Sequence, residues 1–471
     1  MRRLLIGTLS AVALAAPAVA CANDLMDVYR LAKDQDQTYQ AAQHQRDASV
    51  EVRPQAWSYV LPQVTGQAAI DHDRLHVLSS NQSGSSSLNG GGSGGTPSPA
   101  SSAATQYYST RGYSVNLSQA LFNWSAFATL AQSSRQVAEA EATLEAARQG
   151  LIGRTASAYF AVLSALDTLR ADLDAQTSFK QQLDQAQKKF EVGLAAITDV
   201  RNAQASYDTA TATVIADRTA LDNAKRALGL IIGKPVDTVA SLQEEIPLVA
   251  PNPVSVDDWS NAAAKDNPTL MSAYYAAEAA RKQIEVYRGA YLPTLSAVGS
   301  TGRQTSHSAF GDDAITDVVG LSLNWNIFQG GLVTSQVRQA RASYDQAQAQ
   351  YELQHRTVDQ NTRNDYEGVI SGIASVRANR QAVLSNQTSL DATIVGLRVG
   401  TRTEIDVLNA RQALAAAQKS YYQSRYTYLN STLALKQDAG RISEQDLADI
   451  DRLLVTDRST LPPPPSTPSP Q

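Results

Sequence analysis

"VGLAAITDVRNA" (Val192–Ala203) and "VGTRTEIDVLNA" (Val399–Ala410) are two copies of one twelve-residue phrase. They share the opening Val-Gly, the Asp-Val and the closing Asn-Ala, and they start 207 residues apart. Further matches keep the same order. "SYVLPQVTG" around Leu61-Pro62 pairs with "GAYLPTLSA" around Leu292-Pro293, and "AKDQDQTYQAA" pairs with "AKDNPTLMSAYYAA". "YSVNLSQALFNW" (Tyr113–Trp124) pairs with "VGLSLNWNIFQGG" (Val319–Gly331). The spacing falls from 231 residues at Leu-Pro to 206 at Phe122/Phe328, because the first half carries a Ser/Gly-rich insert, "SSNQSGSSSLNGGGSGGTPSPASSAATQ". Such a segment reads as a flexible exposed loop. The chain is therefore an internal duplication. Repeat one covers 23–240, a linker covers 241–256, and repeat two covers 257–455.

Each half alternates between two periods. Val319, Leu321, Leu323, Trp325 and Ile327 occupy every second place with polar or small residues between them, as a strand with one apolar face requires. Tyr113, Val115, Leu117 and Leu121 repeat the pattern, broken by Gln119. Weaker strands follow each Leu-Pro. The expected strands run over about 60–76 and 107–122, joined by the loop 77–106, and over about 292–307 and 317–328. The period then becomes helical: Val333, Val337, Ala340, Tyr344, Ala347 and Tyr351 step by four and three. No Pro interrupts 123–190 or 332–397, so each predicts a helix of roughly 100 Å at 1.5 Å per residue. Helices this long pack laterally, in coiled-coil fashion. Gly193 and Gly400 stop them, and Thr198-Asp199 and Thr403 offer caps for returning helices. The repeated phrase is thus the tip of a helical hairpin, over 123–230 and again over 332–437.

The chain has 471 residues, a net charge of −5, 6% aromatic residues and one Cys. The acidic balance argues against nucleic acid as a partner. Arg2, Arg3, the apolar run Leu4–Ala16 and Ala20-Cys21-Ala22 form a secretory signal over residues 1–22. Cleavage before Cys21 with acylation is the alternative. Either way no disulfide is available to the mature chain. The tail 456–471, "LPPPPSTPSPQ" at its end, reads as disordered. No run beyond the signal is long and apolar enough for a membrane helix. Four strands cannot close a barrel, since membrane barrels begin at eight, so copies must share one. Aromatics cluster at all four strand–helix ends: Trp57 and Tyr59, Phe122 and Trp124, Tyr287 and Tyr291, Trp325 and Phe328. A membrane-interface girdle requires this placement; packing at a junction is the alternative.

These motifs resemble the TolC family of outer-membrane channel-tunnels, from "NDLMDVYRLA" to "EQDLADI". The resemblance implies a mixed α/β membrane protein. In it a homotrimer builds a twelve-stranded outer-membrane β-barrel, four strands per chain, continued by a long periplasmic α-helical barrel. It implies an exit duct for drugs, toxic small molecules or proteins. The duct stands in outer-membrane lipid and works with a periplasmic adaptor (membrane fusion) protein and an inner-membrane transporter of RND, ABC or MFS type. It places adaptor docking at Val192, Gly193, Leu194, Val399, Gly400 and Thr401. It places a periplasmic gate at Thr198, Asp199, Leu397, Arg402, Asp406 and Asn409, with Arg402 latching to Thr198 and Asp199 and Asp406 ringing the constriction. Leu397 stands where the family has a Tyr, and Asn409 where it has a second ring Asp. A lost hydroxyl donor and a lost carboxylate imply a looser latch and weaker divalent block.

No enzyme, cofactor, metal or nucleic-acid site is expected. "DHDRLH" (Asp71–His76) alternates its acids and imidazoles across a strand, and no Ser-His-Asp group or phosphate loop occurs. A dedicated exporter of one protein and a pore-free periplasmic coiled-coil scaffold are the rival readings.

Overall fold

The computed structural model describes residues 24–76, 105–236, 238–306 and 313–455. The signal with Cys21, the Ser/Gly-rich loop apart from its last two residues, and the tail lie outside them. The elements run α1 (Leu25–Gln35), α2 (Gln37–Val50), α3 (Val52–Ser58), β1 (Gln63–His76), β2 (Thr105–Phe122), α4 (Trp124–Glu191) and α5 (Ile197–Ile232). After β3 (Ser241–Leu242) come α6 (Val256–Asp266), α7 (Pro268–Arg288), β4 (Thr294–Ser306), β5 (Asp313–Asn324), α8 (Leu332–Arg398), α9 (Glu404–Asp438), α10 (Glu444–Asp451) and β6 (Leu454–Val455). They group into two units: residues 1–47, 140–273 and 350–471, and residues 48–139 and 274–349.

In the second unit the sheet order is β1-β2-β4-β5, every neighbour antiparallel. Register decides the faces. Val64, Leu117, Gly299 and Val319 are cross-strand partners on one face; one step along, Thr65, Asn116, Ser300 and Val318 share the other. The first face is apolar and open, with Val319 93% exposed, whereas the other carries Gln67, Ser114, Asn116, Gly302 and Gln304. Two details depart from the sequence expectation. The register shifts between Ala120 and Phe122, so Phe122 rather than Leu121 sits opposite Leu295 on the apolar face. This is a β-bulge, which re-aims the strand end. And β5 ends at Asn324, leaving Trp325 and Ile327 beyond it. Its last partner is Thr294, preceded by Pro293, which has no N–H to continue the ladder.

In the first unit α1 places Leu25, Val28, Tyr29 and Ala32 on one stripe, the i, i+3, i+4, i+7 pattern of an amphipathic helix. That stripe joins Leu151, Ile152, Tyr159 and Phe160 of α4, Leu228 of α5 and Leu433 of α9 in one core. The duplication is legible in the caps. The Asp36 carboxylate accepts from Tyr39 N at 2.6 Å, and the Asn267 side chain accepts from Leu270 N at 3.0 Å. Both residues precede a helix and satisfy its free N–H groups. The stretch 241–256 is more than a connection, since β3 pairs antiparallel with β6. Arg425, 2% exposed, holds it: Nη1 donates to Gln243 O (2.9 Å) and Glu244 O (3.1 Å), and Nη2 to Asp167 Oδ2 (3.0 Å). Tyr426 OH donates to the same Asp167 oxygen at 2.6 Å.

Arg425→Ala leaves the Asp167 carboxylate with Arg170, at 3.5 Å, and Tyr426 as partners, and is expected to cost about 1.5–3 kcal/mol. Arg425→Met with Asp167→Asn, which removes both charges, is expected to cost less; thermal unfolding of the solubilised protein compares them.

A second prediction concerns Asp365 on α8 and Asp438 on α9. Burial lifts both carboxyls, and the nearby Asp438 charge helps push Asp365 from 3.8 up to about 7. A carboxyl with a raised folded-state pKa contributes stability at low pH that is lost as pH climbs toward the folded value. Asp365→Asn is therefore expected to match the wild type near pH 4 and to exceed it in melting temperature above about pH 7. A constant difference across that range would contradict the shared-proton reading.

Candidate functional site

The two tips are built alike. Gly193 (φ 76°) and Gly400 (φ 78°) occupy the left-handed region that glycine enters without steric cost. Leu194 N reaches back to Lys189 O at 2.7 Å, and Thr401 N to Gly396 O at 2.9 Å. Gly193 N bonds Phe190 O, and Gly400 N bonds Leu397 O. This is the paired closure of a Schellman turn, made twice. Val192, Gly193, Leu194, Val399, Gly400 and Thr401 are all exposed, Leu194 at 80%.

The returning helices start with a carboxylate at their third position. Thr403 precedes α9, and its hydroxyl accepts from Asp406 N. Asp406 Oδ2 accepts from Thr403 N (2.8 Å) and Thr403 Oγ1 (2.9 Å). The Thr403 backbone bond first, and then the hydroxyl, hold the Asp406 carboxyl below the usual carboxylate range. In the other copy Ala196 takes the capping place. Having no hydroxyl it gives only half the box, with Ala196 N donating to Asp199 Oδ2 at 3.3 Å. Asp199, not Thr198, supplies that cap; Thr198 lies exposed in the first turn of α5. Leu397 is half-buried, and Asn409 is exposed one turn along from Asp406. Among the described residues Arg402 forms no ion pair within the chain; its stem lies against Gly396, where a Cβ would stand 2.7 Å from Arg402 Cγ.

One tip residue escaped the sequence reading. Glu404, with a side chain 12% exposed, accepts from Lys189 Nζ at 2.5 Å and from the Gln182 side-chain amide. Lys189 and Gln182 belong to α4 and Glu404 opens α9, so this carboxylate ties the first hairpin to the second. Each charge also sits at the favourable end of its helix. The signal was present in the opening alignment: Glu404 takes the place of Ile197 in the other copy, a carboxylate where the repeat has an aliphatic residue.

At the strand–helix junctions Trp57, Tyr59, Phe122, Trp124, Tyr291, Trp325 and Phe328 are exposed, Phe328 at 85%. Tyr287 differs: it packs on the small cluster of Ile284, Val333, Val337 and Ala340. Trp325 Nε1 donates to Tyr291 O at 3.1 Å, and Tyr291 OH meets Thr334 Oγ1 at 3.0 Å. Among the described residues there is no group of three or more His, Cys, Asp or Glu able to hold a metal, and no helix long and apolar enough to cross a membrane.

A sheet with one apolar exposed face, two edges that no other described strand pairs, and two long helical hairpins defines a class of outer-membrane channel subunits. Residues 28–234 and 259–441 match the family described as outer membrane efflux protein, and the chain belongs to that family. It is 35% identical over 454 residues to the outer membrane protein TolC of Escherichia coli K12, covering 94% of this chain and 87% of that one. It is 29% identical over 451 residues to the alkaline protease secretion protein AprF of Pseudomonas aeruginosa, covering 95% and 90%. The CmeC outer membrane channel of Campylobacter jejuni superposes with a TM-score of 0.74 at 18% identity, over 96% of this chain and 98% of that one. The protein is thus an outer-membrane channel subunit whose fold is the barrel-and-tunnel plan of this family.

The Glu404 clasp yields a double-mutant test. Glu404→Gln and Lys189→Met are expected to couple by about 0.5–1 kcal/mol in stability, since Lys189 is partly exposed. Strictly additive losses would show that the pair carries no tie between the hairpins.

Proposed function

We propose that three copies form the exit duct of export machineries, passive and opened at the periplasmic tips by partners. The observation that carries this reading is the sheet: four strands in which, among the described residues, β1 and β5 have no partner at their outer edges, in a protein of the outer membrane. Backbone groups cannot stay unpaired in lipid, so edges must be closed by other copies. Three copies give the twelve strands that the family resemblance implies.

The tip supports the rest. Val192, Leu194 and Val399 offer exposed apolar contacts beside the glycines, suited to docking the helical hairpin of a periplasmic adaptor, with an inner-membrane transporter behind it. Arg402, which among the described residues forms no ion pair, would reach Thr198 and Asp199 of a neighbouring copy and latch the gate. Asp406 keeps Oδ1 clear of its capping bonds, so three copies present a ring of carboxylates. The junction aromatics take the place of an interfacial girdle, with Tyr287 serving packing instead. The likeness to a protein named for protease secretion favours protein cargo beside small molecules.

Single-channel recording of the mature protein in a planar bilayer tests this. A cation-selective conductance blocked by divalent cations from one side only is expected, with Asp406→Asn relieving the block and Asn409→Asp strengthening it. Silence from correctly inserted protein, or block indifferent to Asp406, would overturn the duct or its gate respectively.

A further inference from the structure

The four strands of the large sheet hold three arginines and no lysine: Arg74 on β1, Arg111 on β2 and Arg303 on β4. Register places all three on the apolar face. Arg74 is opposite Tyr107, Arg111 lies between Ile70 and Thr305, and Arg303 is opposite Tyr113 and Ile315. The polar face carries no arginine or lysine. This distribution is the reverse of what solvation alone favours. A cation on the lipid side of a barrel costs about 2–4 kcal/mol at the midplane and nearly nothing at the interface.

Their depth resolves the conflict. All three sit toward the strand ends away from the helices. From Leu295, opposite Phe122, to Thr305, opposite Arg111, is ten residues of β4. That is about 33 Å along a strand at ~3.3 Å per residue, or about 25 Å of height at a tilt of ~40°, the thickness of the apolar band. From the helix end the face shows Leu323, Leu321, Val319, Leu117 and Val115, and its polar groups begin toward the outer end, with Thr301 opposite Asp317 and then Arg303. The arginines therefore rim the outer edge of the band, opposite the Trp and Phe residues at the helix end.

Charge accounting singles out two of them. Arg303 is committed to Asp313, with Nε to Oδ1 at 3.0 Å and Nη2 to Oδ2 at 2.5 Å, while Thr305 donates to the same carboxylate. Asp317, the other acid on this face, accepts from Thr301 Oγ1 at 2.6 Å. Arg74 lies over the Tyr107 ring at 5.6 Å, and among the described residues neither it nor Arg111 meets a carboxylate. Arg111 lines a shallow groove of about 440 Å³ with Ala68, Ile70, Tyr113, Arg303 and Thr305.

We infer that Arg74 and Arg111 form a binding site for the phosphate groups of lipid headgroups in the outward-facing leaflet, with the acyl chains lying along the apolar band below. Arginine suits this ligand because its planar fork grips phosphate oxygens in pairs. Acyl chains running down from the headgroup meet Val115, Leu117 and Val319. The site rests on the barrel reading above, and conductance reports that reading separately.

The test reconstitutes the mature protein in phosphatidylcholine vesicles doped with a diphosphorylated glycolipid, or with the same lipid stripped of its phosphates. Lipid retained per chain after detergent extraction is counted by mass spectrometry. Retention of the phosphorylated lipid over the stripped one is expected. Each of Arg74→Gln and Arg111→Gln should lower that retention about fivefold, on the usual value of a basic residue near an anionic surface. Arg111→Lys should keep part of it, and Arg356→Gln on α8 should change nothing. Equal retention of the two lipids by the wild type overturns the inference without any variant. So does full retention by the Arg74→Gln, Arg111→Gln double variant that still conducts. Displacement of the lipid by inorganic phosphate alone would reassign the groove to a free anion and overturn the lipid assignment. Absence of conductance from the wild type would instead count against the barrel.

Discussion

The unpaired edges of β1 and β5 are the constraint on which the rest depends. Among the described residues this four-stranded sheet with a lipid-compatible face leaves two rows of N–H and C=O groups without partners. In hydrocarbon each such group costs several kcal/mol. Among the described residues the remaining strands, β3 and β6, are two residues long and pair with each other, and four strands are too few to close a membrane barrel. On the proposed function, closing the edges falls to other copies of the chain, and the duplication bears on how many are needed. Two strands per repeat and two repeats per chain reduce the number of copies needed to close a ring.

The helices answer a related demand. Helices α4 and α8 are 68 and 67 residues long, and over much of their length they have no globular core of their own. They are secured instead by local devices. Near the tips these are the Schellman closures, the carboxylate caps and the Glu404 clasp; in the first unit they are the Arg425 hub and the cap pair Asp36 and Asn267. In the proposed gate a capping carboxylate would have a second use: one Asp406 oxygen caps α9, and among the described residues the other accepts no hydrogen bond.

Much of this was legible in the sequence, for physical reasons. The hairpins could be read because Gly193 and Gly400 are obligate stops and no Pro falls inside the long periodic runs. The strands could be read because an apolar face against a polar one enforces strict alternation, as at Val319–Leu323. Where alternation is not enforced the reading failed. Trp325 and Ile327 continue the period, yet the ladder stops at Asn324 because Pro293 cannot donate. Leu121 keeps the period, yet a bulge hands its place to Phe122. Tyr287 looked like a girdle residue by position and is instead packed against Ile284 and Val337. Glu404 was hidden for another reason: its partners, Gln182 and Lys189, lie more than 200 residues away in the chain, and only folding brings them together.

The claim that the sheet edges are closed by other copies is tested most directly by the mass of the assembled particle. Mature protein, extracted from outer membranes and released from its detergent micelle in a native mass spectrometer, should carry three chains and no stable smaller form. A particle of one or two chains that still conducts would contradict the account, because four or eight of these strands would then have to close the barrel for which twelve are proposed.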